Sequence, residues 1–143
     1  MLNDKIDTLE NKGRDKFRKL CESKHLQFVE STERLEYFDG IVFFKGKKYL
    51  IEIKDRSEKF NYDTILFEKD KYDNLIKSID KEQADGAYYV SFWDDVAYIY
   101  FIPNVMNLRP CKIMGNKCTA INGDKKEKIV YFIPKDQTKV YTL

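Results

Sequence analysis

With 143 residues, the chain has room for one domain around one core and little beyond it. Hydrophobic residues at 43% suffice for a packed interior, and charged residues at 35% predict a surface dense in both signs. A balance of 26 Lys and Arg against 24 Asp and Glu, net +2, excludes nucleic-acid binding by bulk charge alone, so any phosphate-binding surface comes from local clustering.

No run of about 18 apolar residues exists, so no membrane-spanning helix is expected. The start, MLNDKIDTLENK, lacks the apolar core and small residues of a secretory leader. The cysteines Cys21, Cys111 and Cys118 form an odd set without a CxxC pair. Reduced structural thiols are expected rather than a Cys111–Cys118 bridge, and with them a cytoplasmic, intracellular address.

In chain order, Leu2 to Lys24 reads as an amphipathic helix, with Ile6, Leu9, Gly13, Phe17, Leu20 and Cys21 on one stripe. Gly13 weakens such a helix by about 1 kcal/mol relative to Ala, unless it serves close packing on a sheet. Leu26 to Glu30 and Arg34 to Phe38 suit strands. Ile41 to Phe44 and Lys48 to Lys54 suit a hairpin around Lys45-Gly46-Lys47, its second arm dense in β-branched and aromatic residues. The segment from Lys69 to Glu82, with Tyr72, Leu75, Ile76 and Ile79, reads as a second helix. Gly86 to Trp93 and Val96 to Ile102 form an apolar hairpin turning at Asp94-Asp95. Half of its aromatic side chains should be core, and the outward half suits a partner surface such as a homodimer would use. Beyond Pro103 come short strand-like pieces, Cys111 to Met114, Lys117 to Ile121, Lys128 to Ile133 and Lys139 to Thr142. These forty or so residues are marginal for an independent core. The division is therefore a core over residues 1–103 and a β-rich extension over 104–143 packed on the same domain. The fold class is α/β (α+β), with a mixed central sheet flanked by helices.

The chemistry concentrates between Asp39 and Lys54. Alternation along a strand puts Glu52 and Lys54 on one face and Ile53 on the other. Asp39 begins the turn into the preceding strand, and a two-strand meander can bring it beside Glu52, thirteen residues on. Two close carboxylates repel, and a hard cation such as Mg²⁺ relieves them. A cation so held polarises a phosphoryl oxygen and acidifies a bound water, while Lys54 can orient that water or stabilise the extra charge on phosphorus. An exposed Glu-x-Lys pair on a strand arises equally without function. On the helical wheel, Glu10 falls near the middle of the apolar stripe. Two readings fit it: a position at the stripe's edge reaching water, or a third acid directed over the sheet toward Asp39 and Glu52.

A helix carrying Glu10, a strand, Asp39 at a β-turn, a hairpin, Glu52-Ile53-Lys54 and a second helix together resemble the PD-(D/E)XK nuclease superfamily, over roughly residues 6–102. The resemblance implies a restriction-endonuclease-like or Holliday-junction-resolvase-like core and a divalent-metal-dependent endonuclease. It implies Mg²⁺ or Mn²⁺ held by Asp39, Glu52, the carbonyl of Ile53 and Glu10, with Lys54 assisting the attacking water. Phe38 stands where the motif has Pro, a departure shared by many members. Basic residues on the second helix imply phosphate contacts at Lys69, near the Tyr72 and Ile76 face, or at Lys71 to its side, each otherwise part of a solvated surface. Arg56, Tyr62 and Lys47 are further backbone or stacking contacts. DNA is expected as partner ahead of RNA. A domain this small cuts both strands as a dimer or by two nicks, and its compact form resembles phage or mobile-element nucleases of recombination, repair or defence. The rival expectation is a nucleic-acid-binding or interaction module that keeps the fold without turnover. His25, the lone histidine, is expected to cap the first helix rather than bind metal. No GxGxxG, Walker or GxSxG motif is present.

Overall fold

A computed structural model describes residues 2–31, 37–56, 60, 62–116 and 125–143, with side chains from residue 11 onward except 115, 116, 125 and 126. Helix α1 (Leu2–Ser23) is followed by strands β1 (Gln27–Glu30), β2 (Gly40–Phe44), β3 (Lys47–Asp55) and β4 (Thr64–Glu68). Then come helix α2 (Lys69–Lys81), strands β5 (Gly86–Trp93) and β6 (Val96–Phe101), and a 3-10 segment over Ile102–Asn107. Strands β7 (Cys111–Asn116), β8 (Lys125–Pro134) and β9 (Lys139–Thr142) complete the described chain.

The central sheet has six strands in the order β1-β2-β3-β5-β6-β9. Its β3–β5 pairing is parallel and the others antiparallel, which makes the sheet mixed. A parallel pair needs a crossover, and the segment carrying β4 and α2 supplies it. Lys45 (φ 50) and Gly46 (φ 76) both sit in the left-handed region, so the β2–β3 turn is the two-residue type that matches strand twist and fixes register.

Each face of this sheet has its own cover. Phe17, Leu20 and Cys21 of α1 pack on Val42, Ile51, Val90, Phe92 and Ala97. Gly13 lets α1 come down close, because a Cβ there would stand 3.1 Å from Ile53 Cγ2 and 3.3 Å from Asp55 Cβ. The opposite face, with Leu50, Ala87, Tyr89 and Tyr100, meets Leu75 of α2 and the Ile65, Phe67 and Ile133 side chains of a second sheet. That sheet runs β4-β8-β7. Coverage on both sides explains why β5 is buried almost throughout, as a central strand requires.

Several expectations meet a different arrangement here. Thr64–Glu68, which the sequence assigns to no element, forms β4 and pairs with β8 from Thr64↔Pro134 to Glu68↔Val130. Beyond Pro103, β8 joins β4 in the second sheet and β9 joins β6 in the central one. The expected strands over 34–38 and 117–121 lie outside the described residues except for Tyr37 and Phe38, which lie in a bend. Cys118 is likewise outside them; Cys21 is a buried free thiol, pushed up to about 12 by burial, and Cys111 an exposed one.

Both helices end without glycine. His25 (φ 56) follows α1, with its N–H on the Glu22 carbonyl at 3.2 Å and the Leu26 N–H on Cys21 at 2.9 Å. Gln83 (φ 53) repeats this after α2 through Asp80 and Ile79. These are Schellman closures in which a side-chain-bearing residue holds the strained left-handed position. His25→Gly and Gln83→Gly should each raise stability by about 1 kcal/mol in chemical denaturation. Unchanged or lowered midpoints would contradict that reading of the two helix ends.

Candidate active site

Glu52 and Lys54 share the β3 face of Leu50, which looks toward α2 and the second sheet. The β2–β3 register ends on Gly40 with Ile51, and Asp39 stands one residue before β2 in the bend that leads into it. The Asp39 N–H donates at 2.7 Å to the carbonyl of Ile51, the residue Gly40 already faces, so the chain steps out of register there. The bond from the Ile53 N–H to Asp39 Oδ2 sets the Asp39 carboxylate beside β3, near enough for its charge to act on Glu52. Gly40 is needed beside this point. A Cβ there would stand 2.4 Å from Phe28 Cε1 and 2.6 Å from the Val29 carbonyl oxygen, so any side chain would lift β1 off β2.

Asp39 is held by both its oxygens. Oδ2 accepts the Ile53 N–H at 2.7 Å, and Oδ1 accepts Arg14 Nε at 3.1 Å. Arg14 is itself anchored, because its Nη1 donates to the Ser31 carbonyl at 3.1 Å. In an extended strand the N–H and C=O of one residue point to the same side, so the Ile53 carbonyl also opens toward Asp39 beyond the end of β2.

Glu52 is 14% exposed and accepts one hydrogen bond from Lys71 Nζ at 3.2 Å. Burial pushes its pKa up to about 7; the Asp39 charge adds to this, and Lys71 and Lys54 oppose it without cancelling it. Lys54 is lowered from the ordinary lysine value by lost hydration first, then by repulsion from Lys71 and Arg56, with Glu68 and Glu52 acting the other way. Glu68 in turn receives Lys128 Nζ of β8 at 3.1 Å. Acids from β3 and β4 thus alternate with bases from β3, α2 and β8.

The residues expected from the sequence fall into distinct places. Asp39, Glu52, Ile53 and Lys54 come together. Glu10 lies in α1, one helical turn before Gly13 and Arg14, and its side chain is outside the described residues. Among the described side chains of α1, which packs on the Ile51 and Ile53 face, Arg14 reaches Asp39 just before β2. On α2, Lys71 reaches Glu52, while Lys69 pairs with Asp73 at 2.6 Å along the helix. Arg56 follows β3 with its guanidinium 5.7 Å from the Trp93 ring centre. Tyr62, 63% exposed, joins the same aromatic group at 6.1 Å from Trp93. Lys47 starts β3, five residues before Glu52. At about 3.4 Å per residue it stands roughly 17 Å away, outside the site. Arg14 and Lys128 were not anticipated. Arg14 flanks the apolar stripe as any surface arginine does, and Lys128 is brought in by a strand pairing distant in sequence.

Among the described residues, no cluster of three or more His, Cys, Asp or Glu side chains is arranged to hold a metal. Asp39 and Glu52 form a pair, with the Ile53 carbonyl beside it.

No family model matches the sequence, and no curated protein does. Among solved structures, the chain is similar to Hjc of Archaeoglobus fulgidus, a Holliday junction resolvase from an archaeal hyperthermophile. Identity is 13%, the TM-score is 0.54, and the match covers 87% of this chain and 85% of that one. The two share a fold: a mixed central sheet flanked by helices, of the resolvase-like and restriction-endonuclease-like kind.

Because Glu52 has its pKa raised from 4.5 to about 7, folding favours its protonated form. Between those values the folded protein retains a proton that the unfolded chain has lost, so the group's stabilisation is full below about pH 4.5 and gone above about pH 7. Glu52→Gln, which imitates the protonated carboxyl, should remove that slope and make the metal-free protein more stable than wild type at pH 8. Denaturation at pH 5, 6, 7 and 8 checks this, and parallel pH profiles for the two proteins would refute it.

Proposed function

We propose that the protein is a nuclease that hydrolyses phosphodiester bonds in DNA with Mg²⁺ or Mn²⁺, and that it belongs with the PD-(D/E)XK enzymes. The observation that carries this reading is the proximity of the Asp39 carboxylate, just before β2, to Glu52 of β3, with Lys54 two residues further along the Glu52 face. The resolvase-like fold supports it, because Hjc is a Holliday junction resolvase.

A hard divalent cation fits these residues. All the available donors are oxygen, and the pair carries more negative charge than its burial tolerates, as the raised Glu52 shows. Asp39, Glu52, the Ile53 carbonyl and Glu10 would hold the ion. When bound, it supplies Lewis acidity toward the phosphodiester and lowers the pKa of a coordinated water.

The protein's own groups do the rest. Arg14 and the Ile53 N–H fix the Asp39 carboxylate so that its direction is set before substrate arrives. Lys54, with its proton affinity lowered, orients the attacking water and stabilises charge accumulating on the phosphoryl oxygens. Arg56, stacked on Trp93 one strand repeat beyond Lys54, takes a neighbouring phosphate, and the exposed ring of Tyr62 offers a stacking surface for a base. Lys69 and Lys47 have no part in this arrangement. A homodimer would supply the second cut in a duplex. None of the described helices is long and apolar enough to cross a membrane.

The test is cleavage of supercoiled plasmid, single-stranded DNA and RNA in Mg²⁺, Mn²⁺ or EDTA. Metal-dependent cutting of DNA is expected, reduced at least about 100-fold in both Glu52→Ala and Lys54→Ala. Cutting that survives Glu52→Ala, or that persists in EDTA, would overturn the assignment.

A further inference from the structure

Two side-chain cations meet the carboxylate pair, and they are held very differently. Arg14 donates to Asp39 and also to the Ser31 carbonyl, and its side chain is 23% exposed, so it is anchored at two points. Lys71 has one hydrogen bond at the site, to Glu52 Oε1, and its side chain is 44% exposed. Lys71 is the more exposed partner of this ion pair, and Glu52, at 14% exposure, is the more enclosed.

The location of Lys71 is also poor for the helix that bears it. It lies in the first turn of α2, where the macrodipole favours anions, and Glu68 at the N-cap makes no side-chain capping bond. Helix stability gives no reason for a lysine there; the charge of Glu52 does. Lys71 thus supplies one positive charge where a divalent ion would supply two, and the two cannot share Glu52 at close range.

We propose that Lys71 is a stand-in cation: it neutralises Glu52 in the metal-free protein, and a divalent ion entering beside Asp39 displaces its ammonium, which then takes a DNA phosphate next to the scissile one. This inference rests on the metal-dependent reading of the site and assigns Lys71 as a positioning residue for it. Metal loading and DNA binding are consequently coupled, because the ion that completes the site also frees a cation for the substrate. Arg14 remains in place throughout and keeps Asp39 oriented.

Acetylation of lysines by an N-hydroxysuccinimide ester at fixed pH, resolved residue by residue by mass spectrometry, reads the release directly in the full chain. Calorimetry on the same samples establishes whether Mn²⁺ binds. Saturating Mn²⁺ should raise the labelling rate of Lys71 about fivefold, the ratio that an ion pair of this exposure sustains, and leave Lys77 and Lys81 on the same helix unchanged. Glu52→Gln should show the faster Lys71 rate without metal. Lys71→Met should bind Mn²⁺ about fivefold more tightly than wild type, since its competitor is gone. Mn²⁺ binding with an unchanged Lys71 rate, or with unaltered affinity in Lys71→Met, overturns the stand-in role and leaves the metal site intact. No Mn²⁺ binding at all overturns the metal site and the stand-in role together.

Discussion

The arrangement depends on one pairing, the antiparallel ladder between β2 and β3, which ends at Gly40 and Ile51 and leaves Asp39 beside Ile53 and Glu52. A slip of one residue would turn Glu52 and Lys54 to the face covered by α1 and bring Ile51 and Ile53 to the site. Three features hold the register. The two-residue turn at Lys45-Gly46 fixes where the strands meet, the bond from the Asp39 N–H to the Ile51 carbonyl ties down the residue before β2, and Gly40 admits β1 alongside. The same turn and bonds that make an ordinary hairpin therefore bring two acids together.

That proximity is unfavourable in itself, and the rest of the molecule accommodates it. Core packing on both faces of β3 keeps the strand from relaxing, with Leu50 wholly buried on the site face and Ile51 almost so on the other. Arg14 from one helix and Lys71 from the other each answer one carboxylate. The compensation is incomplete, because Glu52 still has its pKa raised to about 7.

Much of this was readable in the sequence. Amphipathic periodicity gave α1 and α2 within a residue or so of their ends, and the apolar alternation gave β3, β5 and β6. The approach of Asp39 to Glu52 was legible because a tight hairpin turns sequence separation into spatial register. What escaped was set by contacts distant in the chain. Thr64–Glu68 carries an apolar Ile65-Leu66-Phe67 run, but its partner β8 lies more than fifty residues later, and without that partner it reads as loop. The choice between Lys69 and Lys71 depends on how α2 rotates over the sheet. Leu75 and the contact between Tyr72 and Tyr131 of β8 settle that rotation, and a helical wheel contains neither partner. Arg14 is legible only after it is known that α1 ends its approach at Asp39.

The central claim is that Asp39 and Glu52 together bind a divalent cation, and calorimetric titration with Mn²⁺ at pH 6 and pH 8 tests it most directly. With Glu52 titrating at about 7, binding should be strong at pH 8, about tenfold weaker at pH 6, and abolished in Glu52→Gln. Equal affinity at the two pH values, or binding that survives Glu52→Gln, would show that the cation is held elsewhere and that the paired carboxylates are not its site.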